Sequence, residues 1–576
     1  MRRALLIAAG VVLLAGCTGV PTSSSPDTIE ALDTGGSNAI PAAHGLRDGA
    51  RLIVSHFLDA NARTTSGGHP TARQYLTPAA NTRWTDESAT IIGNDVSIST
   101  YNRRRHTVVV RGRVLGTVNA EGIYTPSLLG AGGGGGTQPF VFGIAGRPAN
   151  FRINQLRPGL LLTERQFRDT YRQQVLYFPD LTEDTLVPDI RWSSIEGQPL
   201  LQWLMAQIVA GPRPELTSAV STDTLPAHLE AQQIKVTLGN PVQIQIPGSS
   251  QLAARVRYRL AAQLSQTLLN VLFSREIEIT DRGRPVPIPS LASDEFSAAD
   301  FGSLVGPEPP ASEVYYLSDG RIHDQTGKLL DGGVENSPPL SSFAVSRVIQ
   351  DGPMLIAGVT GSGSAAQLMV GTRSDGLRPT SVRGPLSRPA FVPGRDEVWI
   401  GAGSAIYRVT VGYGTPQATQ VPIPAVSGGG QVVALRLSPE GTRVAMVVSG
   451  ADGSQQMYVG AIVRGAGQVR VDKLEPISPK GVVVTDVAWL DSSKLFAIGY
   501  LARSQRARTF ETVVDGTDWT SMRINLPGAP DSVTAAISSS VWASANGYVW
   551  VQSGSTTWVS PGPAGQTLGT APTYLE

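Results

Sequence analysis

The stretch Ala434-Leu435-Arg436-Leu437-Ser438-Pro439-Glu440-Gly441-Thr442-Arg443-Val444-Ala445-Met446-Val447-Val448 places a small apolar strand, a Pro/Gly turn and a second apolar strand in succession. Ser-Pro-Glu-Gly is an inter-strand turn whose glycine can take a positive φ without steric cost. The unit recurs. Phe343–Val345 with Met354–Val359 and Ala390–Val392 with Glu397–Ile400 precede it; Val487–Leu490 with Leu495–Tyr500 and Ala535–Ile537 with Tyr548–Val551 follow. With Val345, Val392, Leu437, Trp489 and Ile537 as markers, the spacings are 47, 45, 52 and 48 residues. A period of roughly 40–50 residues with several strands per unit is the signature of β-propeller blades. Residues 306–576, at roughly 45 residues per blade, hold about six of them, with five or seven as the alternatives. The strand Val314–Leu317 precedes the first marker, so pairing it with a C-terminal strand would close the ring and remove its edges. The alternative is a β-sandwich with accidental spacing.

Composition agrees with a strand-and-turn chain. The 576 residues include 63 Gly and 41 Pro, while charged residues make up 16%, below the roughly 25% of ordinary domains. Hydrophobics at 41% suffice to build cores, and the length suggests about three domains. A net charge of +1 leaves no excess field to hold a polyphosphate, which argues against nucleic acid as a partner. The single cysteine excludes a disulfide framework and a thiolate-rich metal site.

That cysteine stands at the other end of the chain. Met1-Arg2-Arg3 is a short positive segment, Ala4–Leu14 carries no charge, and Leu14-Ala15-Gly16-Cys17 follows. Eleven apolar residues are too few to span a bilayer, which takes about 20 in a helix. The order is that of a secretory signal peptide, residues 1–16. Leu14, Ala15, Gly16 and Cys17 resemble a bacterial lipobox. That resemblance implies diacylglycerol on the Cys17 sulfur, cleavage before Cys17 and an acyl chain such as palmitate on its new amine. Residues 17–43, rich in Ser, Thr, Gly and Pro, then form the lipidated tether.

Two α+β segments fill the interval. In residues 44–162, amphipathic spacing predicts a helix over Asp48–Ala62 and a second from Pro70. Strand patterns follow at Val96–Tyr101, Thr107–Thr117, Phe140–Ile144 and Phe151–Leu156. Helices followed by an antiparallel run resemble the NTF2-like fold. Gly130, Gly132 and Gly135 satisfy a G-x-G-x-x-G pattern, but Thr137-Gln138-Pro139 follows where a nucleotide site needs a helix, so the run reads as a loop. The cluster Arg103-Arg104-Arg105-His106 reads as a solvated hairpin tip, with anionic lipid or cell-wall polymer as its sharper alternative.

In residues 163–305, Thr163 and Gln166 form a capping box that opens a helix through about Gln174. Strands are expected at Val175–Phe178 and Leu186–Trp192, then a helix over Gln198–Ala210 stopped by Gly211-Pro212. Ile234–Leu238 and Val242–Ile246 read as strands. Leu252, Val256, Leu260, Leu264, Leu268 and Leu272 mark a buried helix, and a hairpin turns at Asp281-Arg282-Gly283.

Val187-Pro188-Asp189, the helix ending Ala210-Gly211-Pro212-Arg213-Pro214-Glu215, and the long helix before a hairpin resemble a GerMN domain. Taken in order behind a lipobox and ahead of a β-rich region, they resemble the LpqB family of actinobacterial lipoproteins. Tyr177-Phe178-Pro179, and Tyr75-Leu76-Thr77 ahead of Trp84, match it as well; the Gly130–Gly136 run departs from it. The resemblance implies a protein on the extracytoplasmic face of the cell membrane, held there by its lipid anchor. It also implies binding to the extracytoplasmic domain of an MtrB-type sensor histidine kinase, modulating that two-component system and so cell-wall homeostasis and cell division.

Catalytic patterns are missing. The six histidines (His44, His56, His69, His106, His228, His323) stand apart, Gly327-Lys328 opens no phosphate loop, and no serine lies between glycines at −2 and +2. No enzyme, no metal and no cofactor is expected. Two other readings remain open. One is an envelope hydrolase or small-ligand sensor using the propeller channel. The other is a carbohydrate binder stacking sugars on Trp399, Trp489, Trp542, Trp550 and Trp558.

Overall fold

In the computed structural model the C-terminal half forms a closed succession of sheets. The structure describes residues 49–576 except 64–67, 128–136, 183–184, 274, 306–312, 348–351, 412–413, 427–429, 466, 505, 538 and 563–566. The described residues all belong to one compact unit, Ala43–Glu576.

The quoted stretch is the strand pair Gln431–Leu437 and Arg443–Ser449, continued by Gln455–Gly465 and Gln468–Pro476 into one four-stranded antiparallel sheet. Gly441 holds φ 71° in the turn between the first two strands. Other sheets begin with Leu340–Ser346, Ala390–Phe391, Val482–Trp489 and Pro530–Thr534. Each of these first strands packs on the first strand of the next sheet. The ring is closed by the C-terminal strand Thr570–Tyr574, which pairs antiparallel with Val314–Ser318, placing Val314 opposite Tyr574. Thr570–Tyr574 also touches the innermost strands on both sides, Leu340–Ser346 and Pro530–Thr534. The expected closure is therefore present, and the domain is β-propeller-like, with its apolar cores lying between successive sheets.

One repeat marker is out of phase. Ala535–Ile537 lies beyond the innermost strand Pro530–Thr534, and Tyr548–Gln552 is third in its sheet, not second. The second strand is Trp542–Ala545, whose small residues carry little apolar signal although all four are buried.

N-terminal to the ring, the helix Gly49–Asn61 buries Ile53, Val54 and Phe57 against two four-stranded sheets. The single strand expected over Thr107–Thr117 is broken at Arg113. Thr107–Gly112 pairs with Gln138–Ala145, whereas Val114–Val118 pairs with Ala89–Ile92 in the other sheet. The Gly130–Gly136 run lies outside the described residues.

The Thr163 capping box is formed, with the Gln166 N–H donating to Thr163 Oγ1 at 3.2 Å. Its helix ends at Thr170 rather than near Gln174, because the strand Arg172–Pro179 begins there and pairs along its length with Leu186–Ser193. The helix Gln198–Ala210 stops as expected at Gly211, at φ 92°. In Ala254–Leu272 the four-residue leucine spacing advances the stripe by about 40° per turn. Burial therefore widens to every residue from Arg259 to Leu268. The core under these two helices is continuous with Ala461 and Val463 of the propeller strand Gln455–Gly465. The middle region's core thus extends onto one strand of the ring.

Candidate functional site

All eight residues of the strand Leu186–Ser193 are buried, so both of its faces are covered. Alternate residues share a face, and Asp189 and Arg191 are such a pair. Their exposures are 0% and 1%, at which an ion pair persists only if its remaining valences are satisfied. They are. Arg191 donates to Asp189 from Nε at 3.1 Å and Nη2 at 2.8 Å, to the Glu121 carbonyl at 3.0 Å and to the Gly211 carbonyl at 3.0 Å. Asp189 also accepts the Arg213 N–H at 2.8 Å. Arg213 in turn pairs with Glu215 at 2.9 Å and reaches the Tyr124 carbonyl at 3.4 Å. Burial opposes the Arg213 charge, but Glu215, Asp515 and Asp189 outweigh it and hold this guanidinium above its ordinary pKa. Burial likewise opposes the Glu215 charge, and Arg213 outweighs it, leaving that carboxyl below its ordinary value.

The propeller joins the same cluster. Arg443, beside the Ser438–Gly441 turn, pairs with Glu440 at 2.7 Å and donates to the Pro188 carbonyl. Trp192 Nε1 donates to Asp515 at 2.9 Å, and the Ser218 hydroxyl to Asp472 at 2.9 Å. From the N-terminal side Gly122, at φ 75°, accepts the Trp192 N–H at 2.8 Å. A Cβ on Gly122 would lie 2.7 Å from the Trp192 carbonyl oxygen, so only glycine permits this approach. Val187-Pro188-Asp189 and Gly211–Glu215, packing signatures in the sequence, meet here as a three-way clasp.

Beside the clasp a cavity of about 1210 Å³ opens between the N-terminal region and the propeller. Its floor is aromatic: Phe167 stacks on Tyr171 at 5.0 Å and packs on Trp192 at 5.2 Å, and Phe510 meets Trp519 at 5.9 Å. Arg168 bridges the two walls, pairing with Glu164 at 2.9 Å and Asp518 at 2.7 Å. Burial pushes the Tyr171 hydroxyl up to about 12 and raises that of Tyr124 as well, so both stay neutral at physiological pH.

A second polar cluster lies where the innermost propeller strands converge. Arg388 donates to the carbonyls of Phe343 at 3.2 Å, Val533 at 3.4 Å and Pro572. Arg436 and Asp486 pair at 3.1 Å, Asp486 accepts the Val533 N–H at 3.0 Å, and Glu576 accepts the Phe391 N–H at 2.7 Å. Each of these contacts ties one sheet to another. Burial raises the Glu576 carboxyl to about 6, against the pull of Arg436 and Arg388.

Cys17, Leu14, Ala15, Gly16 and His44 lie outside the described residues. His69 meets Asp86 at 2.8 Å within a cluster that includes Arg73 and Trp84. Arg103–His106 is an exposed hairpin turn, as its solvated reading expected. The sugar-stacking reading is corrected: Trp399, Trp489, Trp542 and Trp558 are buried between sheets, and Trp550 packs against such a core. Among the described residues no three metal-ligating side chains converge, and no helix is long and apolar enough to cross a membrane. Sequence reasoning missed the converging charges. The available signal was a lone ionisable residue inside an apolar strand, Arg436 between Leu435 and Leu437, or Asp486 in Val482–Trp489.

Two family models match the chain. Residues 320–574 match the lipoprotein LpqB β-propeller domain, and residues 47–168 match the lipoprotein LpqB N-terminal domain. Among similar proteins, lipoprotein LpqB of Rhodococcus jostii is 28% identical over 474 residues, covering 77% of this chain and 76% of its own. That of Mycolicibacterium smegmatis is 28% identical, covering 78% and 79%. That of Nocardia farcinica is 26% identical over 563 residues, covering 89% and 87%.

Two outcomes follow from the clasp and the propeller cluster. Asp189→Ala leaves Arg191 buried without its counter-charge and lowers unfolding stability by about 3–5 kcal/mol, read by urea unfolding; a loss under about 1 kcal/mol would contradict the clasp. For Glu576 the folded pKa of about 6 exceeds the ordinary 4.5. Its contribution is therefore fully present below 4.5 and lost as pH rises through 6. Glu576→Gln should unfold later than the parent above pH 6 and match it below 4.5, in thermal melts across that range. An advantage that grows toward acid would show the opposite sign.

Proposed function

The chain belongs to the LpqB family of lipoproteins, and from that premise we propose a non-catalytic, lipid-anchored binding protein of the extracytoplasmic membrane face. Its partner is the extracytoplasmic domain of an MtrB-type sensor histidine kinase. A partner that prefers one kinase state shifts the kinase equilibrium by its differential affinity, and through it cell-wall homeostasis and division. Residues 1–16 are the signal peptide and 17–43 the tether, joined to the bilayer through Cys17. Two or three acyl chains, at about 0.8 kcal/mol per buried methylene, anchor stably where one does not. Residues 44–162 are read as NTF2-like, 163–305 as GerMN-like with a leading helix, and 306–576 as a propeller of about six blades.

The observation that most supports a binding role is how the buried charges are used. Asp189, Arg191, Arg213, Arg436 and Asp486 are all committed to structural partners. The titratable groups brought together here hold regions and sheets in place, which suits a rigid docking body.

The test has two arms. The fragment Thr18–Glu576 should bind the purified kinase ectodomain at micromolar concentration in biolayer interferometry, and absence of binding there would sink the partner assignment. Cys17→Ala should leave a precursor of unchanged length that no palmitate analogue labels. Lipidation and cleavage as before would overturn the anchor.

A further inference from the structure

The cavity between the N-terminal region and the propeller is accounted for neither by the clasp nor by a docking role. At about 1210 Å³ it exceeds the range of roughly 300–1,000 Å³ typical of small-molecule sites. Its lining combines an aromatic floor with five cations, Arg113, Arg168, Arg172, Lys480 and Arg503, against two carboxylates, Glu164 and Asp518. Both carboxylates are taken by Arg168. Among the described residues the other four cations have no carboxylate partner, and all four are exposed. Neutral tyrosine hydroxyls add no negative charge inside.

We propose that this cavity binds an anionic amphiphile, its apolar body on Phe167, Tyr171, Trp192 and Trp519 and its carboxylate or phosphate head among Arg113, Arg172, Lys480 and Arg503. Apolar area drives the body inward, and charge-assisted hydrogen bonds from guanidinium and ammonium groups hold the head. A small amphiphile suits the walls better than an acidic peptide. The strand Val114–Val118, which forms one wall, is already paired on both sides, and the Tyr124 carbonyl on its neighbour is taken by Arg213. Few main-chain groups on that wall remain for strand addition. The site needs no particular protein partner, so it stands or falls separately from the kinase assignment.

The test uses the compact unit 43–576, purified without lipid, in isothermal titration calorimetry. Dodecyl phosphate and dodecanoate, each kept below its micellar concentration, should bind at one site per chain; which binds tighter identifies the preferred head. Inorganic phosphate and neutral dodecyl maltoside should not. Lys480→Ala with Arg503→Ala, both exposed, should keep the parental melting temperature and weaken the anionic probes by at least about tenfold. The proposal is overturned if neither anionic amphiphile binds or if the maltoside binds equally well. It is equally overturned if the double variant binds as the parent does, or if an oligoglutamate peptide binds in their place.

Discussion

A buried charge must be answered within the protein, and the Asp189–Arg191 pair is where that rule shapes this molecule most. At 0% and 1% exposure neither group has water to fall back on. Their remaining hydrogen-bond capacity is filled by main-chain groups of Glu121, in an N-terminal turn, and of Gly211 and Arg213, in the segment that follows a helix. Such a pair is weak evidence for net stability, since apolar residues of equal volume often do as well. What it supplies is placement. An N-terminal hairpin and the end of a helix satisfy the pair itself, and the propeller turn carrying Arg443 is tied to the same strand at the neighbouring Pro188 carbonyl.

The propeller repeats the device on a smaller scale. A ring of antiparallel sheets has apolar faces that grip their neighbours, but apolar contacts alone tolerate slippage. Arg388 reaches carbonyls on three strands, and Asp486 joins Arg436 to the main chain of Val533. These directional contacts fix the angular order of the sheets. Thr570–Tyr574 closes the ring by pairing with Val314–Ser318, so the first and last strands of the domain shield each other's edges.

Much of this was legible in the sequence, for definable reasons. The period of 45 to 52 residues survives because four of the five units repeat the same strand–turn–strand chemistry, and the closing strand follows from an unpaired Val314–Leu317. The helix Gln198–Ala210 is bounded by Gly and Pro, whose backbone limits act locally. Signals that depend on a distant partner were lost. Trp542–Ala545 is a strand only because neighbours cover it, and the helix after Thr163 gives way where a pairing strand competes for its residues. The clasp was half visible: its motifs stood out, but Arg191 and Arg443, which join three regions, are single residues with no spacing to announce them. The cavity, formed by residues 394 positions apart such as Tyr124 and Asp518, had no local signature at all.

The clasp holds the N-terminal region and the propeller as one rigid body. The unit 43–576 contains no cysteine, so labels can be placed at will. Spin labels at Arg104→Cys, on the exposed hairpin tip, and Asp452→Cys, on an exposed propeller turn, report the separation of the two regions by double electron–electron resonance. A single narrow distance distribution is predicted. A broad or two-peaked distribution would mean that the regions move independently, and the account would fail.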